Sequence, residues 1–425
     1  MVRRGVRRGR RARGLPPRWV PATMMPMCDT ARMLTSLLEA SHTASLEQLP
    51  SLVAGHADRV GLHRLRIYVA DLQENVLREV TGRGPDAGAG GRQLRINATL
   101  PGRAFQSARI LPAVIGGRRQ YWVPVLDGTE RIGVLSCEPA EPGPETEEVL
   151  SGLASLLGLL LVSKRAVSDS LARLCRTRPM TVSAEMQWTL MPPKTFANHR
   201  MMISAAMEPA YEIAGDAFDY AEADGTAHLA LFDAMGHDTA AGLTANLAVA
   251  ACRSARRQGA DLPRVREIIE HTLIEQFGRS RYATGILADL DLGTGMLSWI
   301  NCGHLPPVVI RGGRTATALR RRPTHPLGTG LGLPVTVCRD QLEPGDRLLL
   351  YTDGITEARG AGGEEFGVQR FTDFIIRHEA DKLPVPETLR RLVQAVLDYH
   401  GGTMRDDATV LVCEWPGATA GHLRP

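Results

Sequence analysis

The chain has 425 residues, 44% of them hydrophobic, enough to bury more than one core, so two or three domains are expected. Its formal net charge of +4 comes from Arg3, Arg4, Arg7, Arg8, Arg10, Arg11 and Arg13, and without that head the body is mildly acidic. The basic balance therefore gives no support for a nucleic-acid groove. Seven cysteines without a CxxC pair exclude a disulfide framework or a zinc site and point to reduced thiols in a cytoplasmic protein. The longest aliphatic run, Leu153 to Val162, is about half of what a bilayer span requires, so no membrane segment is expected.

In chain order, residues 1–29 form an arginine-rich head without the apolar stretch of a secretory signal. It reads as disordered or as an upstream extension of the reading frame, with Met24, Met25, Met27 and Met33 as alternative starts. A basic arm for nucleic acid or an anionic membrane is the lesser reading. Residues 30–143 mix helix and strand. A helical pair in ARMLTSLLEASHTASLEQLPSLVAGHADRVG precedes the strand LHRLRIYVADLQ, the turn-rich GRGPDAGAGGRQ and a hairpin around Asp127-Gly128 in YWVPVLDGTERIGVLSCE. This order of elements, with the phrase VPVLDGTERIGVLSC, resembles a GAF domain. The resemblance implies an α/β/α sensor whose ligand the sequence does not name.

Residues 144–193 are expected to be a helical linker. Leu150, Leu153, Leu157, Leu160, Val167, Leu171 and Leu174 recur at alternating spacings of three and four. Two readings stand: a parallel helix that makes a homodimer, or an amphipathic helix packed on its own domain.

From residue 194 to 417 strand-like runs alternate with turns, interrupted by helical stretches at 239–277 and 368–399. The pattern predicts an α+β domain, a sheet sandwich flanked by helices, and residues 418–425 form a tail. Asp233 follows the run HLALF, Asp353 follows RLLLYT, Asp216 sits beside Gly215, and Asp406 precedes the strand ATVLVCEW. Carboxylates at strand ends can converge on one point, where their mutual repulsion calls for a counter-charge. Two hard divalent cations, Mn²⁺ or Mg²⁺, meet an all-oxygen donor set and would activate a water for in-line hydrolysis of a phosphate ester. No cysteine is followed at the required spacing by arginine, which excludes a phosphocysteine mechanism.

In order, the segments MQWTLMPP, PAYEIAGDAFDY, LALFDAMGHDTAAGL, YATGILADLD, INCGHLPPVVI, HPLGTGLGLP, GDRLLLYTDGITEAR, GEEFGVQRF and RDDATVLV resemble the PPM-type (type 2C) serine/threonine phosphatases. Within them they match the bacterial branch typified by the sporulation stage II protein E phosphatase. The resemblance implies an α-β-β-α sandwich with a dinuclear metal site. Asp233 would bridge both ions, the carbonyl of Ala234 would be a ligand, Asp353 and Asp406 would hold one ion from the far side, and Asp216 would bind directly or through water. Asp407 stands where many relatives carry Asn and supports the ligands, and Asn301, Gly303 and His304 shape the sheet.

Two positions depart from the family pattern: Ala214 replaces the first glycine of a pair, and Asp238 replaces the last glycine of Gly-His-Gly. The second departure is expected to reduce conformational freedom at a tight turn. His237, four residues after Asp233, is read as a turn or cap residue, with general acid catalysis as the alternative. The resemblance implies a protein substrate, an anti-sigma factor antagonist with a STAS domain, and no nucleic-acid or membrane partner. The opposing expectation is a degenerate phosphatase-fold module that binds a phosphoprotein without turnover.

Overall fold

The computed structural model describes residues 29–417 other than Lys382, Thr403 and Arg405. The arginine-rich head with its alternative starts up to Met27, and the tail 418–425, lie outside the described residues.

The first unit is a six-stranded antiparallel sheet ordered Gln93–Arg95, Val76–Val80, Leu62–Ala70, Glu130–Pro139, Arg118–Asp127 and Leu111–Ile115. The expected hairpin is present: Asp127 pairs with Glu130 across a two-residue connection in which Gly128 has φ +57°. Alternation sorts the side chains of the central strand. Ile67 and Val69 face helices Asp29–Ser41, Leu49–Ala57 and Thr146–Arg165, while Tyr68 faces Phe105 of helix Leu100–Ser107 on the opposite side, with Trp122 and Val134.

Residues 144–193 are not one rod but three helices, Thr146–Arg165, Asp169–Cys175 and Val182–Leu190. Leu150, Leu153, Leu157, Leu160, Leu171 and Leu174 are buried in the first unit's core, whereas Val167, at the break, is 86% exposed. The leucine stripe is thus used within the chain, as in the packed-helix reading. Thr146–Arg165 is also the one described helix long and apolar enough to cross a membrane, and here its apolar face lies on the sheet.

The second unit is a four-layer sandwich. A five-stranded sheet (Cys338–Gln341, Met296–Cys302, Ala283–Asp291, Thr226–Ala234, Asp216–Ala223) faces a six-stranded one (Thr315–Ala318, Val308–Arg311, Asp346–Tyr351, Ala408–Trp415, Met202–Glu208, Thr195–Ala197). Helices Thr239–Arg257 and Leu262–Phe277 cover the first sheet, and Gly367–Ala380 and Val385–Tyr399 cover the second. The central strands of the six-stranded sheet carry consecutive apolar residues, Leu348–Tyr351 and Val410–Cys413, because both of their faces are buried. Leu348 and Leu350 point into the space between the sheets, Leu349 and Tyr351 toward the outer helices. Pro384, at the N-cap of Val385–Tyr399, divides the single helical stretch expected at 368–399 into two.

The two units meet through buried charge. Arg131 reaches both Glu74 of its own unit and Glu387 of helix Val385–Tyr399, the latter at 3.2 Å. Arg390 forks onto Glu387 at 2.8 and 2.9 Å and onto Asn97 Oδ1 at 2.7 Å, and Lys194 holds Glu74 at 3.2 Å. Glu387 is fully buried and also takes Arg391, so its removal leaves Arg390 and Arg391 without their carboxylate and Arg131 with Glu74 alone. Glu387→Gln should lower the stability of the full chain by about 3 kcal/mol, the usual cost of breaking a buried pair, read as a lower thermal transition.

Candidate active site

The acids collect at one edge of the sandwich because of strand pairing. Asp216 opens strand Asp216–Ala223 and lies directly opposite Asp233, near the end of Thr226–Ala234. On the other sheet Tyr351 pairs with Val410, so the end of Asp346–Tyr351 and the start of Ala408–Trp415 share that same edge. Asp353 is the first residue of the short helix Asp353–Thr356, and Asp406 sits in a bend two residues before its strand.

Hydrogen bonds lock the two sheets together here. Asp407 Oδ2 accepts the N–H groups of Ala214, Gly215 and Asp216 at 2.9, 2.5 and 3.3 Å. Thr352 Oγ1 donates to Asp216 Oδ2 at 2.7 Å and accepts the N–H of Thr409 at 2.8 Å. Two glycines are required by close approach. A Cβ on Gly215 would lie 2.7 Å from the carbonyl oxygen of Gly236 and 2.8 Å from that of Ala234, and one on Gly354 would lie 2.1 Å from that of Asp407.

The electrostatics are those of an uncompensated acidic cluster. Burial, together with the charges of Asp353, Asp406 and Asp407, pushes the Asp233 carboxyl up to about 7. Burial and the charges of Asp233 and Asp407 raise Asp216 well above the carboxylate range, and burial and Asp406 raise Asp353. Among the described residues no three acids, histidines or cysteines already close on one point. Asp216 is turned to Thr352, Asp407 to three amides, and Asp406 to the N–H of Asp407. The donor set, all oxygen and strongly anionic, fits hard divalent cations once side chains rotate from these partners.

His304 is sequestered. Its Nε2–H donates to the carbonyl of Tyr351 at 3.0 Å, its Nδ1 meets Thr284 Oγ1 at 2.7 Å, and burial pushes its pKa down to about 4. Asn301 Oδ1 accepts the His304 N–H at 2.7 Å and Asn301 Nδ2 donates to the His304 carbonyl at 2.9 Å. The motif ties strand Met296–Cys302 to Asp346–Tyr351, the sheet-shaping role expected of it. His237 is exposed on the bend after Ala234.

The two departures from the family pattern are unstrained. Ala214 is buried and has no positive φ, and Asp238 has φ −99° and ψ 176°. The expected loss of conformational freedom at Asp238 does not arise, because the left-handed position in this loop is Gly236, at φ +90°. Asp238 instead caps helix Thr239–Arg257, its Oδ1 accepting the N–H of Ala241 at 2.8 Å. Sequence reasoning passed over three side chains that serve the site: Thr352, Thr284 and Gln187. Each lies inside a motif already singled out, and Gln187 Nε2 donates to the carbonyls of Ala214 and Asp216 at 2.7 and 2.8 Å.

Residues 223–416 match the family model of stage II sporulation protein E. The match covers a little under half of the chain, and this segment is similar to that family. The chain is 27% identical to protein IcfG of Synechocystis over 148 residues, which are 35% of this chain and 23% of that protein. The chain thus spans about a quarter of that relative's length. It is 21% identical over 238 residues to phosphoserine phosphatase RsbU of Bacillus subtilis, covering 54% of this chain and 68% of RsbU. Among solved structures, the SiaA PP2C domain of Pseudomonas aeruginosa aligns at 21% identity and a TM-score of 0.48, over 60% of this chain and 99% of that domain.

The raised carboxyl of Asp233 makes a test that needs no turnover. An acid whose folded pKa is raised opposes folding once pH passes its unfolded value, ~4, and the full penalty is present above the folded value. At pH 8 in chelator, Asp233→Asn should therefore unfold at a higher temperature than the parent, by on the order of 1–3 kcal/mol, and the gap should vanish near pH 4. A less stable variant at pH 8 would refute the repulsive cluster.

Proposed function

We propose that the chain is a metal-dependent protein phosphatase that hydrolyses phosphoserine or phosphothreonine. The observation that carries this is the raised, mutually repelling set Asp216, Asp233 and Asp353, with Asp406, at one sheet edge of a PP2C-type domain. In this reading Asp216, Asp233, Asp353, Asp406 and the Ala234 carbonyl hold two Mn²⁺ or Mg²⁺ ions. When bound, such ions lower the pKa of a water and draw charge from the phosphoryl oxygens.

The chain's own residues orient the donors. Thr352 sets the rotation of Asp216, Asp407 fixes the backbone from Ala214 to Asp216, and Gly354 lets Asp353 reach the edge. His304, uncharged at neutral pH and bonded on both ring nitrogens, serves as a brace and not as a proton donor. By family likeness the substrate is a phosphorylated anti-sigma factor antagonist with a STAS domain, whose dephosphorylation would release a sigma factor. The cytoplasm is the compartment in which such a pathway operates.

With Mn²⁺ the protein should hydrolyse p-nitrophenyl phosphate and a phosphoserine protein, and Asp233→Ala should lose at least ~100-fold in kcat/KM, because it removes a ligand of the ions that would activate the water. Undiminished activity in that variant sinks the site assignment. If calorimetry finds no stoichiometric Mn²⁺ binding to the parent, the chain is instead a phosphoprotein-binding module without turnover.

The first unit, in its GAF-like reading, would sense a ligand and act through helix Val182–Leu190, which carries Gln187 onto the Ala214–Asp216 loop. Gln187→Leu should weaken Mn²⁺ binding ~10-fold in calorimetry, since loss of charge-oriented hydrogen bonds at a metal's supporting residues commonly does so. Unchanged affinity would disconnect the helix from the site.

A further inference from the structure

We propose that Arg281 is the residue that takes hold of the substrate's phosphoryl group, and that Asp238 holds its guanidinium at the rim until the phosphate replaces the carboxylate. This rests on the phosphatase reading and assigns to that site a phosphate-binding residue on an element that carries no metal ligand.

Position is the first argument. Arg281 lies two residues before strand Ala283–Asp291, whose Thr284 lies opposite Asp233, and the adjacent Tyr282 carbonyl accepts the Met235 N–H at 3.1 Å. The Arg281 backbone is therefore tied beside the loop that follows Asp233. Its Nη1 donates to the Met235 carbonyl at 3.2 Å and lies 3.9 Å from where a Cβ on Gly236 would be. The other side of that same loop presents the Ala234 and Gly236 carbonyls to Gly215, next to Asp216. The guanidinium and the Gly215 contact therefore meet the same loop, residues 234–238.

Geometry is the second. Nη1 and Nη2 donate to Asp238 Oδ1 and Oδ2 at 3.2 and 3.0 Å, a two-pronged fork. A phosphomonoester presents the same pair of acceptor oxygens with more charge. The Asp238 side chain is 58% exposed and that of Arg281 23%, so the pair is solvent-screened and contributes little to stability. Displacing the carboxylate does not unwind helix Thr239–Arg257, because Asp238 Oδ1 keeps the Ala241 N–H.

Charge is the third. Asp216, Asp233, Asp353, Asp406 and Asp407 share the edge, and two divalent ions do not fully neutralise five carboxylates. A phosphate dianion approaching that edge needs a further cation, and the residue that replaces the family's glycine at 238 is the one that positions it.

The test uses the full chain with Mn²⁺, p-nitrophenyl phosphate as substrate and inorganic phosphate as competing ligand. Arg281→Met should raise KM and the inhibition constant for phosphate ~10- to 100-fold, the range set by one lost charged fork, while kcat falls less and calorimetric Mn²⁺ stoichiometry is unchanged. Arg281→Lys should restore part of the affinity, since a point charge lacks the fork. Asp238→Asn keeps the helix cap but removes the competing charge, so it should tighten phosphate several-fold, and only when Arg281 is present. A parent that turns over substrate while Arg281→Met and Arg281→Lys leave both constants unchanged overturns the assignment of Arg281 alone. A parent that neither hydrolyses the ester nor binds phosphate overturns the phosphatase reading and this inference together.

Discussion

A single carboxylate oxygen, Oδ2 of Asp407, accepts three consecutive backbone N–H groups from Ala214 to Asp216. Everything at the acidic edge depends on that contact, because it joins the strand after Asp407 in one sheet to the strand that begins at Asp216 in the other. Burial and the charge of Asp406 raise the Asp407 carboxyl despite the three donors it accepts. The Thr352 hydroxyl makes the second stitch, between Asp216 and the backbone of Thr409. With both in place, four strand termini from two sheets are brought together at one rim.

Such a rim is an unstable arrangement of charge, and the surrounding chain distributes the cost. Asp216, Asp406 and Asp407 each find a donor, and Asp233, facing Asp353, Asp406 and Asp407, has a carboxyl that burial and those charges push up to about 7. A functional edge of this kind lowers stability locally, and the hydrophobic core between the sheets, built around Trp299, Phe218 and Leu231, supplies the rigidity that maintains it.

The two units are joined by charge more than by apolar surface at the Glu74, Arg131, Glu387 and Arg390 cluster, where each guanidinium is matched by a buried carboxylate. Buried pairs of this sort fix orientation better than they add stability. Helix Val385–Tyr399, which carries Glu387, also packs on the six-stranded sheet, whose strand ends carry Asp353 and Asp406 to the acidic edge. The relation between the first unit and the acidic edge is therefore one of shared rigid elements.

Local pattern determined much by itself. The Asp127-Gly128 hairpin, the helices at Thr239–Arg257 and Leu262–Phe277, the strand-like runs and the acids at strand ends were legible, because side-chain period and turn chemistry act over a few residues. What tertiary structure alone decided depends on partners distant in the chain. The leucine stripe at Leu150–Leu160 had two partners open to it, and only the sheet beneath it selected between them. Asp238 looked like a strained replacement of glycine until its extended backbone, its cap to Ala241 and its fork to Arg281 were seen together. No spacing rule reaches from 238 to 281, or from 407 to 214, because hydrogen bonds across a sandwich are set by register and not by sequence distance.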